Sequence, residues 1–238
     1  MKDFKNFYLM LRFEKSRIVT VPREIQLARS LEFFKRIGQL SPLLKNWYRC
    51  GDSAEDGLRF NVMENTQFLR NAVEHWEEND RQQTEYVLWN GQPDITKGGL
   101  SITYYAHDKP LMSSIEIEDA GALVMVESDP RRIFIGILNA AVDIWPEIDW
   151  GLVVPDDYYL YRRVFQDRQT IGWIGFCPRA LKASDFPDAD ELIDVPGRGT
   201  IVVSCPQVMD QDNLEHVQRV GNIDIKLMEL GYLPIFPG

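Results

Sequence analysis

Phe7-Tyr8-Leu9-Met10-Leu11-Arg12-Phe13 is the stretch that sets the fold class. Phe7, Leu9, Leu11 and Phe13 alternate with Tyr8, Met10 and Arg12, the period of two expected of a strand buried on at least one face. The fold therefore opens with β. Downstream, Pro22 stands where a first helical residue tolerates proline, Leu27, Leu31 and Phe34 follow at helical spacing, and Gly38 is placed to end the run, which predicts a helix near 22–37. A short strand near 44–49 leads into the loop Gly51-Asp52-Ser53. Asn65 or Thr66 then caps a second helix whose apolar stripe is Phe68, Leu69, Ala72, Val73 and Trp76.

The next segment reads as a meander of strands at 84–89, 99–106, 113–118 and 121–127. Turn signals stand at Asn90-Gly91, Pro93-Asp94, Gly98-Gly99 and Lys109-Pro110. Within it Ile115 and Ile117 face inward, and Glu116 and Glu118 outward. Asp129-Pro130 opens a helix through Ile133, Phe134, Ile137, Leu138, Ala141 and Trp145 that is apolar on nearly every side, as a helix at the centre of a core would be. Strands near 150–154, 171–177 and 200–205 follow, joined by Pro- and Asp-rich loops. A last helix runs from about 212 to 230, with Leu214, Val217, Gly221, Ile225 and Met228 on one stripe. Strands cluster instead of alternating with helices, which predicts an α+β fold: a largely antiparallel sheet of several short strands packed with about four helices, in one domain spanning 1–238.

The 238 residues are 45% hydrophobic and 26% charged, a composition that excludes a disordered chain or a coiled coil and suffices for a sizeable core. Lys and Arg number 26 against 36 Asp and Glu, a formal charge of −10, which argues against nucleic acid or an anionic membrane as ligand and for a basic partner. Cys50, Cys177 and Cys205 are odd in number and widely spaced, so a reducing compartment is expected. The apolar run after Lys5 is too short for a signal-peptide core, and the stretch 133–145 is too short and too interrupted to cross a bilayer. The expectation is a cytoplasmic protein without a membrane span.

The chain carries no phosphate-binding loop, nucleophile elbow, zinc-binding helix pair or dinucleotide fingerprint. Gly197-Arg198-Gly199-Thr200 precedes a strand and not a helix, so it reads as a tight turn. His75, His107 and His216 are far apart in sequence, and the cysteines fall in or beside strands, where a buried inert thiol is the common case. Neither catalytic residues, metal ligands nor a cofactor are expected. Most tryptophans belong to apolar stripes, whereas Trp47-Tyr48 and Tyr158-Tyr159 lie near element ends and are the candidates for exposed aromatics.

Acidic residues gather unevenly. Glu77, Glu78 and Asp80 sit at the predicted C-terminus of the second helix, where the macrodipole disfavours negative charge by about 0.3–1 kcal/mol each. Asp156, Asp157, Tyr158 and Tyr159 occupy the predicted loop after a strand. Asp185, Asp188, Asp190 and Glu191 form a third group. These eleven residues are the candidate partner-binding set: the acids supply complementarity to a basic cleft and the tyrosines supply buried anchor area.

Several blocks in order along the chain carry a resemblance: Trp47-Tyr48-Arg49-Cys50-Gly51-Asp52-Ser53, Trp89-Asn90-Gly91, Gly172-Trp173 with Pro178-Arg179, Gly199-Thr200-Ile201-Val202-Val203-Ser204, and Asn213-Leu214-Glu215-His216-Val217 through Asn222-Ile223-Asp224-Ile225 to Leu233-Pro234. Together they resemble the immunity protein 52 family of bacterial polymorphic toxin systems. The last block departs from the family pattern conservatively, with Leu214 where proline is usual and Gly221 where alanine is. The resemblance implies a cytoplasmic non-enzyme that binds and blocks a cognate secreted effector, a DNase with a restriction-endonuclease-type fold. It carries over no set of contact residues. Two other readings remain: an effector chaperone that leaves the toxin active, and a metal-assisted hydrolase built on His107, Asp108 and another acid.

Overall fold

The structure, a computed structural model, describes residues 5–74, 84–107 and 113–236. In chain order its elements are β1 (Phe7–Phe13), α1 (Lys15–Ile18), α2 (Arg23–Ile37), β2 (Tyr48–Arg49), α3 (Ala54–Gly57), α4 (Gln67–Glu74), β3 (Thr84–Trp89), β4 (Ser101–Ala106), β5 (Ser114–Glu118) and α5 (Gly121–Val126). They continue with α6 (Pro130–Ile144), β6 (Ile148–Pro155), α7 (Asp156–Tyr161), β7 (Ile174–Cys177), β8 (Glu191–Val195), β9 (Gly199–Val203) and α8 (Leu214–Glu229). The nine strands form one sheet in the order β2-β3-β4-β5-β1-β6-β7-β9-β8, and each pairing of neighbours is antiparallel. The architecture is α+β, with four of the described helices seven residues or longer.

The opening strand became the middle of the sheet, between β5 and β6. Its register sets both faces, because alternate residues point opposite ways. Leu9 lies opposite Ile117 and Val153, and Leu11 opposite Ile115 and Gly151. Across β4 and β3 the same row continues through Ile102 and Tyr104 to Leu88 and Tyr86. This inner face is fully buried. Trp145, at the end of α6, packs against Phe13, Phe33 of α2 and Tyr104 with ring centroids 6.0, 5.2 and 6.2 Å apart. Burying aromatic side chains of this size stabilises by about 1.5–3 kcal/mol each.

Local chemistry explains the helices. The Asp129 side chain accepts a hydrogen bond from the Arg132 amide at the start of α6, with Pro130 in the first turn. At its far end Arg198, from the β8–β9 turn, donates to the carbonyls of Val142 and, at 3.1 Å, Trp145. A guanidinium satisfies carbonyls that have no partner within the helix. The turn itself is the tight one expected: Arg198 N donates to Val195 O at 2.9 Å, and Gly199 has φ 151°, with the Cys177 carbonyl only 2.1 Å from where a Cβ would stand.

Several expectations fail. Residues 121–127 form a helix and not a strand. The chain leaves β5 through Asp119 at φ 57°, and Ala120 N donates to Phe7 O beside β1. Both edges of β1 are already taken by β5 and β6, so the apolar run Gly121–Val126 coils against the sheet instead of joining it. A run this short has no periodicity that separates strand from helix. Residues 191–195, read as an acidic loop, form the edge strand β8, where charged side chains are tolerated because one side meets water. Trp47, expected to be exposed, is wholly buried: its indole packs tilted against the Phe34 ring with centroids 5.7 Å apart and donates to Leu44 O at 3.0 Å.

Candidate functional site

The candidate acids have different fates. Glu77, Glu78 and Asp80 lie outside the described residues. Asp156 and Asp157 are not in a loop but form the first turn of α7, where negative charge suits the helix N-terminus. Each accepts an internal hydrogen bond, Asp156 from Asn6 Nδ2 at 2.9 Å and Asp157 from Gln211 Nε2 at 2.7 Å. Partial burial, with the fields of Asp119 and Asp157, raises the Asp156 carboxyl above its ordinary value despite the Asn6 bond. Asp190 and Glu191 share Arg131 at 2.9 and 2.6 Å. Asp185 and Asp188 line a groove of about 300 Å³ against α8, with Ile225, Lys226 and Glu229 opposite. The eight described residues of the set thus sit in different settings.

The two tyrosines part company. Tyr158 is fully buried, a correction to its reading as an exposed anchor. Helical periodicity from Asp156 turns it inward, toward Asp224 of α8, and burial raises its phenol first and that carboxylate second. Tyr159 stays half-buried: its ring lies 5.3 Å from the Tyr8 ring, and the Arg163 guanidinium stands 4.6 Å over it.

Tyr159 leads to a surface that no sequence cluster marked. The outer row of the sheet register runs Glu85, Tyr105, Ser114, Arg12 and, one step along, Val87, Thr103, Glu116, Met10, with Ser101 opposite Glu118. Tyr8 belongs to this face as the residue two before Met10. Between α4, whose Ala72 shares a hollow with Val87, and α7, whose Tyr159 meets Tyr8, the side chains of Tyr8, Glu85, Tyr105 and Glu116 are partly buried and Glu118 is exposed, while Met10, Thr103 and Ser114 of the same rows are buried beneath them. Glu116 accepts from Ser114 Oγ at 2.7 Å and Glu118 from Ser101 Oγ at 3.4 Å. Among the described residues no Lys or Arg forms an ion pair with Glu85, Glu116 or Glu118, whereas Arg12, on the same face, is held bidentately by Asp149 at 2.8 and 2.9 Å. The Tyr105 phenol is raised by burial and then by Glu116, Glu85 and Glu118; that of Tyr8 is raised by burial and then chiefly by Glu116. The one sequence signal for this face was the outward placement of Glu116 and Glu118. Its convergence with Tyr8, Glu85, Tyr105 and Tyr159 needed the register.

Burial pushes the Cys177 thiol up to about 11 and raises Cys205 as well, so both are protonated near neutrality, whereas Cys50, expected to be buried beside a strand, is exposed. His216 Nδ1 accepts from the Asp210 amide at 3.0 Å, a structural bond. No helix of the described residues is long and apolar enough to cross a membrane.

The blocks that carry the family resemblance are mostly scaffold. Tyr48 pairs with Trp89 across β2 and β3; Gly91, at φ 85°, leaves 2.7 Å between the Tyr48 ring and the place of a Cβ. Trp173 is buried, with Nε1 donating to Cys205 O at 3.0 Å. Among curated proteins no match to the chain is found. Against protein families, residues 20–235 match the model of an immunity protein, the class of protein that protects against a cognate toxin. The chain belongs to the immunity protein 52 family.

Proposed function

We propose that this protein binds a cognate secreted nuclease effector through an acidic surface and neutralises it inside the producing cell, as one cytoplasmic binding domain without chemistry of its own. Family membership carries this reading, and the formal charge of −10 supports its finer part. A nuclease that grips a phosphate backbone must present basic side chains, so an acidic inhibitor is steered to the same surface at high rate. Within the family the chain resembles TsiT, the immunity partner of the type VI secretion nuclease effector TseT; the corresponding effector here is a DNase with a restriction-endonuclease-type fold. One continuous sheet and one contiguous core support treating the whole chain as the binding unit.

The test is co-expression with the toxin encoded beside this protein's gene, then copurification and DNA cleavage with and without the protein. A stable complex in which cleavage is abolished is the expected result. A complex that still cuts DNA makes the protein a chaperone, and no complex removes the reading altogether.

A further inference from the structure

Some of the described acids are already neutralised by cations of the chain and others are not. Asp149, Glu147, Asp190, Glu191, Asp210 and Asp212 are each in an ion pair with an arginine or lysine of this chain. Asp224 is buried, and Asp156 and Asp157 hold amide side chains. Glu85, Glu116 and Glu118, like Asp52, Glu55, Asp185 and Asp188, have no ion pair within the described chain, but they alone of these share one sheet face, in successive rows on β3 and β5 with β4 between. Register keeps Glu116 and Glu118 two residues apart on the same face of β5 and sets Glu85 across β4 from them, so the face carries an acidic field that favours a cationic partner. Tyrosines are interleaved with the carboxylates, and aromatic side chains are the usual anchors of an interface because they bury large area at low entropic cost.

We infer that the outer sheet face of β3, β4, β5 and β1, with Glu85, Glu116, Glu118, Tyr8, Tyr105 and Tyr159, is the docking surface for the cognate toxin, taking an arginine- and lysine-bearing patch of it. This rests on the immunity reading above and says where it acts. Three carboxylates without an ion pair in the described chain match a basic partner, and a guanidinium that enters between them can pair with a carboxylate and stack on a tyrosine ring, the stacking being what Arg163 already does over Tyr159 within this chain. The salt bridge of Arg12 to Asp149 closes the surface on the β1 side and leaves the charge of the glutamates uncancelled.

The experiment measures association of the full-length protein with the toxin encoded beside its gene, across a range of salt, for wild type and two triple variants. Glu85→Gln/Glu116→Gln/Glu118→Gln removes the face's charge with shape preserved. Glu24→Gln/Glu32→Gln/Glu55→Gln removes the same net charge from exposed positions elsewhere. A melting curve for each reports folding, and Tyr105→Ser, a separate single change on the same face, tests the aromatic component. The face triple is expected to bind about 30-fold more weakly or worse with a flatter salt dependence, and the control within about 3-fold of wild type. Folded face variants that bind and protect like wild type overturn the docking surface and leave the immunity reading standing. Equal weakening by both triples also overturns it, since net charge alone then explains the effect. A wild type that neither binds nor protects overturns the immunity reading itself and the surface with it.

Discussion

The two ends of the sheet are built differently. At the β7-β9-β8 end the chain is stitched by buried polar contacts: Asp224 of α8 accepts from Thr170 Oγ1 at 2.6 Å and from the Ile171 amide at 2.8 Å, Trp173 Nε1 donates to Cys205 O, and Ser204 Oγ donates to Trp173 O at 3.1 Å. At the other end β2 is two residues long, its Tyr48 and Trp89 rings sit half-exposed 6.1 Å apart, and Arg49 covers Phe60 from 4.5 Å. The first end is held by several hydrogen bonds shielded from water, whereas the second keeps the buried Trp47 Nε1 bond to Leu44 O and otherwise relies on partly wet ring contacts and turn geometry. Polar contacts made in a low-dielectric interior are costly to break one at a time, which makes the first end the stiffer one.

Paired tryptophans give the largest contrast. Trp173→Ala, which removes a ring packed against Phe7 and Phe134 together with its buried N–H bond, should cost about 3–5 kcal/mol. Trp89→Ala, at the wet end, should cost half that or less by urea unfolding, and equal losses would break the comparison. Next comes Asp224. Replacement by Ala leaves the Ile171 N–H and the Thr170 hydroxyl without their acceptor and should cost about 2–4 kcal/mol.

Burial pushes the Asp224 carboxyl up to about 7, with the Thr170 and Ile171 bonds opposing. The native state therefore holds this proton between about pH 4, where an unfolded carboxyl titrates, and about pH 7, so its contribution to stability is present below that window and is lost as pH rises through it. Asp224→Asn has no such proton. Its stability relative to wild type should improve between pH 5 and pH 8, and parallel curves would show that Asp224 is ionised throughout.

At the wet end Gly91→Ala forces a side chain onto a positive-φ backbone beside the Tyr48 ring and should lower stability by about 1–3 kcal/mol. The smallest effect sharpens the reading of α8. Leu214, predicted on its packed stripe, is 78% exposed, so Leu214→Ser should change the melting midpoint by no more than about 0.5 kcal/mol allows.

Much of this architecture was legible along the chain, because it depends on short-range physics. The alternation in Phe7–Phe13, the Asp129-Pro130 cap of α6 and the Arg198 turn each depend on neighbours within a few residues, and each stands where expected. Where the sequence misled, the deciding partner was distant. Gly121–Val126 coils because β5 and β6 already flank β1; Glu191–Val195 extends because β9 offers an edge; α8 turns Val220, Ile223, Asp224 and Leu227 inward and leaves Leu214 out because of what lies beneath it. The candidate site follows the same division. Sequence alone established the acidic balance and, through blocks that are largely scaffold, the family. Which carboxylates are already satisfied by Arg131, Asn6 or Gln211, and that Glu85, Glu116 and Glu118 share one face with Tyr8 and Tyr105, was decided only by the tertiary structure, because ion pairing and strand register join residues that the chain holds far apart.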